Sequence, residues 1–183
     1  MATLILCKGD IIGVRSKGWL SNGIAIGSLT IGEKKTRLSH VGIITKGGNI
    51  REALITEALA HVVERPLASY VGTKMVVYEP LVSDVRRELL AAKATEYKGR
   101  TYGYLKIVAH FLDFCLNGAY IFRRLCLMDK YPICSWLVAN CYKRIGISLG
   151  EDINEIQPDD IDDYCLKHPD VFLCKLNFEV LRG

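Results

Sequence analysis

The sequence predicts an α+β fold, an antiparallel sheet packed against helices, on three observations. Short β-branched runs recur up to Tyr78, helical spacing takes over after Ser83, and the two kinds of element segregate along the chain. A doubly wound sheet would need them to alternate. Half of the 183 residues are apolar, enough for one core. No linker, fixed-period repeat or charge block divides the chain, so residues 1–183 read as a single domain.

Leu4 to Val14 is rich in Ile, Leu and Val and is broken by Gly9-Asp10, which predicts strand, turn, strand. Ser16 to Arg37, with four glycines among polar residues, reads as a long loop holding a short helix near Leu20 to Ile26. Three strands follow, His40 to Thr45, Ile55 to Leu59 with Val62-Val63 beyond, and Met75 to Tyr78. Gly47-Gly48-Asn49 supplies a hairpin turn between the first two, and the set predicts an antiparallel meander.

Ser83-Asp84 can cap a helix in which Val85, Leu89 and Ala92, flanked by Leu90, Ala94 and Tyr97, recur at helical spacing before Lys98-Gly99. A second helix is expected from Tyr104 to Asn117. A third begins around Ile133, just after Pro132, with Leu137, Val138, Cys141, Tyr142 and Ile145 on one stripe before Gly146. Val171 to Val180 is the last expected strand.

Composition narrows the function classes. A net charge of +4 comes from basic residues scattered among nearly as many acids, so nucleic acid is not an expected partner. The run Leu4 to Cys7 is too short for a signal-peptide core, and Tyr102 to Ile121 is interrupted by Lys106, His110, Asp113 and Asn117, so no transmembrane segment is expected. Seven cysteines is an odd number and no C-x-x-C pair occurs, which points to free thiols in a reducing, cytoplasmic setting and against structural zinc.

One cysteine differs from the rest in its position. Cys134 opens the third helix, where unpaired N–H groups and the positive end of the dipole lower a thiol pKa and can also bind an oxyanion. Cys7, Cys115, Cys126, Cys141, Cys165 and Cys174 read as small buried hydrophobes. His40 begins a strand and can project toward a helix terminus, and it is better placed than His61, His110 or His168. Glu57 lies inside the apolar strand Ile55-Thr56-Glu57-Ala58-Leu59, where an acid is costly without a partner, so it is the candidate to orient His40.

These residues occur in a wider ordered set. It comprises Gly9-Asp10-Ile11-Ile12, Ser39-His40-Val41-Gly42-Ile43, Thr56-Glu57-Ala58-Leu59, Gly99-Arg100-Thr101-Tyr102-Gly103-Tyr104, Cys134-Ser135-Trp136-Leu137-Val138 and Gln157-Pro158-Asp159-Asp160-Ile161. The set, with histidine before cysteine, resembles the circularly permuted papain-like branch of the NlpC/P60 superfamily, especially the YiiX/YebB-like cysteine hydrolases. The resemblance implies Cys134 as nucleophile, His40 as base then acid, Glu57 as its orienting carboxylate and Tyr102 near the substrate. Gly103 departs from the Asp common in related sequences, and Ala109 to Tyr131 resembles an insertion able to form a lid or a packing helix.

The expected activity is acyl transfer on a peptide or amino-acid amide, with no cofactor and no metal. Two alternatives share the fold. One is a lipid ester or thioester hydrolase or acyltransferase resembling the lecithin retinol acyltransferase-like branch, with Ile107 to Ile121 lining a lipid-like substrate's pocket. The other is a non-enzymatic binding module or a virus or phage structural component.

Overall fold

The computed structural model describes residues 4–15, 37–101, 133–154 and 156–180. The expected loop within 16–36, the helix expected at Tyr104 to Asn117 and the insertion before Pro132 lie outside them.

Six strands form one antiparallel sheet: β1 (Ile11–Val14), β2 (His40–Lys46), β3 (Leu54–Ala58), β4 (Val62–Pro66), β5 (Lys74–Pro80) and β6 (Phe172–Val180). Their order is β4-β3-β2-β1-β5-β6. The meander covers β2, β3 and β4 only. The strand expected at Met75 to Tyr78 leaves it and pairs with β1, which therefore sits centrally, with Ile12 opposite Gly42 on one side and Val77 on the other. A 3-10 turn, Leu67–Tyr70, joins β4 to β5.

Alternation along the strands divides the core into two layers. Ile11, Val41, Ile43, Val76 and Tyr78 face the helices. Ile12, Val14, Ile44, Ile55, Met75 and Val77 form a second cluster on the opposite face, closed by Leu67 and Tyr70 of the 3-10 turn.

The described α-helices are α1 (Asp84–Glu96), α2 (Cys134–Arg144) and α3 (Pro158–Lys167). In α1 the flanking stripe turns inward: Leu90 and Ala94, then Tyr97, are buried, whereas Val85 is 71% and Leu89 55% exposed. Both stripes have helical spacing, and the one that packs inward carries Leu90 and Ala94. The single stripe expected on α2 is also corrected, because every residue from Cys134 to Tyr142 is buried. Such all-round burial marks a central helix. It is held by Tyr97 edge-on to Trp136 at 5.6 Å and by the Tyr142 hydroxyl donating to the Gly9 carbonyl at 2.5 Å.

α3 was not expected from hydrophobic spacing. Its start carries Pro158 at the first turn and a reciprocal cap in which Asp160 accepts from the Gln157 N–H at 2.7 Å. No helix among the described residues is long and apolar enough to cross a membrane.

Candidate active site

Cys134 is the first residue of α2, with extended Ile133 as its N-cap and no side-chain cap. The N–H groups of the first turn are therefore available to the sulfur and to a ligand. The sulfur accepts hydrogen bonds from the backbone of Ser135 and, across from the helix, of Val41 on β2. Ser135 fixes the turn from its other side, its Oγ donating to the Ile156 carbonyl at 2.6 Å.

His40 is the first residue of β2 and hydrogen-bonds the Cys134 side chain. Its Nε2 lies 2.5 Å from Glu57 Oε2, which leaves Nδ1 as the ring nitrogen for the thiol. Pairing of Ile43 with Thr56 and of Ile44 with Ile55 sets Glu57 across from the Gly42 region, on the face that His40 shares by alternation. Gly42 makes that approach feasible. A Cβ there would sit 2.8 Å from Ile55 Cδ1 and 3.1 Å from Glu57 Cβ.

The three groups reinforce one another's charge. Burial alone would lower the His40 pKa, but the Cys134 sulfur beside it, and then Glu57, outweigh burial and lift it to about 10. Burial would raise the Cys134 pKa; the His40 cation and the Val41 and Ser135 N–H groups hold it below the ordinary thiol value instead. Glu57 has no exposed side-chain surface, and burial pushes its pKa up, yet His40, Tyr70 and Arg65 together bring it below normal.

Cys141 shows what burial does to a thiol of the same helix that lacks the His40 cation and the Val41 and Ser135 N–H groups. Two turns further along the same helix, burial pushes its thiol up to about 12. Cys165 is likewise buried and raised. The expectation of buried packing fails for two others, since Cys174 is exposed on β6 and Cys7 is half-buried. Cys115 and Cys126 lie outside the described residues.

The two competing histidines among the described residues are elsewhere. His61 is exposed in the β3–β4 connection, and His168 caps α3, bonding the Tyr164 carbonyl and stacking on its ring. His110 and Tyr102 lie outside the described residues, as does the apolar segment Ile107 to Ile121.

Two residues at the site, Tyr70 and Arg65, escaped the sequence reading, and Asp159 enters it only as part of a motif. Tyr70 donates to Glu57 Oε2 at 2.5 Å, and Arg65 Nε donates to Oε1. Arg65 pairs across from Ile55, so it is the diagonal neighbour of Glu57 on the same face, a relation readable only once the hairpin register is known. Asp159 Oδ1 accepts from the N–H groups of Arg37 at 2.9 Å and Leu38 at 2.7 Å, tethering the entry to β2 onto α3.

No protein-family profile matches the sequence, and no curated protein matches it. A crystal structure of the metalloprotein YiiX from Escherichia coli O157:H7 matches with a TM-score of 0.55 at 18% identity, covering 97% of this chain and 87% of that one. The chain shares the fold of YiiX. The likeness agrees with the α+β expectation, and YiiX itself belongs to the YiiX/YebB-like group that the motifs resemble.

YiiX is described as a metalloprotein. Among the described residues, Cys7, Asp10 and Glu79 place ligand atoms within 4.8 Å of one another. Lys175 Nζ stands among them, 2.9 Å from Glu79, 3.1 Å from Asp10 and 3.6 Å from the Cys7 sulfur. Arg87 binds both carboxylates from the other side, at 2.7 Å for Glu79 and 3.4 Å for Asp10. Two cations already balance the two anions, so this cluster does not fit a metal.

Proposed function

We propose that the chain is a cysteine hydrolase of the circularly permuted papain-like kind, a single domain acting by acyl transfer on a peptide or amino-acid amide. The observation that carries this reading is the continuous chain Cys134–His40–Glu57 at the start of a buried helix. The amide preference rests on the resemblance to an amidase superfamily.

In the acylation step the Cys134 thiolate attacks the carbonyl carbon, a C–S bond forms, and the carbonyl electron pair moves onto oxygen. N–H groups of the first α2 turn stabilise that oxyanion. Collapse breaks the C–N bond as the His40 imidazolium gives its proton to the leaving nitrogen. The neutral ring then takes a proton from water, whose oxygen attacks the thioester, and collapse of the second tetrahedral adduct restores the thiolate. Glu57 fixes the ring and balances its charge throughout.

Limited iodoacetamide labelling of the intact chain at neutral pH, mapped by mass spectrometry, tests the nucleophile. Cys134, only 5% exposed, should be alkylated before Cys174, which is exposed but has a raised pKa. If Cys174 reacts first and Cys134 lags with Cys141, the reading fails.

A further inference from the structure

The hydrogen bonds of Glu57 do not end at His40. Oε2 accepts from both the His40 ring and the Tyr70 hydroxyl, and Oε1 accepts from Arg65. Arg65 also stacks its guanidinium 4.6 Å above the Tyr70 ring, so the two donors brace each other. They come from different elements, β4 and the 3-10 turn, and with the His40 ring they engage both oxygens of Glu57.

From this arrangement we propose that Arg65 and Tyr70 are positioning residues that keep Glu57 ionised and thereby set the pH at which Cys134 becomes a thiolate. This deepens the hydrolase reading and rests on it.

The row from Cys134 to Arg65 is balanced in charge, and it is buried except at Arg65, whose side chain is 33% exposed. Cys134, His40, Glu57 and Arg65 alternate in sign, minus, plus, minus, plus, and sum to zero. Without Arg65 the row carries a net negative charge away from water, which is costly. The easiest relief is a proton on Glu57 or on Cys134. A protonated Glu57 no longer stabilises the imidazolium, and a weaker imidazolium no longer stabilises the thiolate. A proton taken directly by Cys134 has the same consequence, so both routes raise the pH needed for thiolate formation.

The groups facing Glu57 are His40 from β2, Arg65 from β4 and Tyr70 from the 3-10 turn, with Cys134 of α2 beyond the ring. Glu64, the nearest other acid on β4, bonds Thr45 and Lys98 instead. The Tyr70 hydroxyl is held as a donor, its pKa driven far above normal by burial and then by Glu57. Arg65 remains a cation at every accessible pH.

The test is the pH dependence of Cys134 alkylation in the full chain and in Arg65→Met, Arg65→Lys and Tyr70→Phe, each checked by a thermal melt. In the unaltered chain the acid limb should lie below that of an ordinary thiol. Arg65→Met should move it up by about one pH unit, a ~10-fold loss of thiolate on that limb. Tyr70→Phe should move it less, and Arg65→Lys should restore most of the shift. Tyr70→Phe, which removes one oxygen, keeps the proposal open to refutation if Arg65→Met fails to fold. Superimposed limbs for the unaltered chain and Tyr70→Phe, or for it and a folded Arg65→Met, overturn this inference alone. An ordinary thiol limb in the unaltered chain overturns the hydrolase reading and the inference with it.

Discussion

Glu57 and Asp10 are both carboxylates with no exposed side-chain surface, each with two nearby cationic side chains and a cysteine in reach, yet their chemistry diverges. Asp10 takes the Cys7 N–H at 3.0 Å, Lys175 and Arg87, and its pKa is raised because burial and the nearby Glu79 outweigh those partners. Glu57 is lowered because its three donors outweigh burial. The decisive difference is the proton inventory. Lysine and arginine are strong bases, and the ion pairs of Asp10 with Lys175 and Arg87 pin the first turn to β6 and α1. One partner of Glu57 is a histidine that is itself bonded to a thiol, so the same kind of buried anion can serve a proton transfer.

The comparison can be broken most forcefully at Asp10. Asp10→Ala leaves two partly buried cations sharing one carboxylate, and loss of the buried partner of such a pair costs about 3 kcal/mol. Chemical denaturation should show that loss, while Cys134 alkylation in the folded fraction stays unchanged. A fall in alkylation would place Asp10 in the reactive network after all.

Glu57→Gln should also reach the chemistry. The amide preserves shape but removes the buried charge that balances His40 and Arg65, so the melting temperature should fall, and turnover of an amide substrate by the folded enzyme should fall by one to two orders of magnitude. The His40 pKa, about 10 and above its ordinary 6.5, should drop in this variant. Because a raised base contributes stability fully below 6.5 and loses it as pH rises through about 10, the unaltered chain should lose the ion pair only near pH 10. In Glu57→Gln that alkaline limb should move toward neutrality, as NMR titration of the ring would report.

The smallest effect is expected at Gly42, where the added Cβ of Gly42→Ala presses on Ile55 and on the Glu57 stem. Displacement of the carboxylate by a few tenths of an ångström should lower turnover several-fold. Unchanged rates would mean that the β2–β3 spacing does not set the His40–Glu57 bond.

How much of this was legible in the sequence varies with the range of the interactions involved. Cys134, His40 and Glu57 stand out because each is anomalous for its place: a thiol at a helix start, a ring at a strand start and an acid in an apolar strand. Local periodicity could not choose between the two stripes of α1, since Val85-Leu89 and Leu90-Ala94 have the same spacing. The central place of β1 depends on pairing with residues far along the chain, which no short window contains. Arg65 needed the hairpin register and Tyr70 a turn with no readable signature. α3 was readable from Pro158 and the Gln157/Asp160 cap, signals that hydrophobic spacing alone passes over.

The tether from Asp159 to the backbone before His40 spans 121 residues in one bond and 122 in the other. Contacts of such separation close late in folding, because the loop entropy must be met before they form. A nascent chain that had made β2, β3 and even α2 would therefore hold a thiol, a ring and a carboxylate on an unanchored strand entry. Completion of the site waits on a helix that follows Cys134 in the chain, so reactivity is expected to mature after the sheet does.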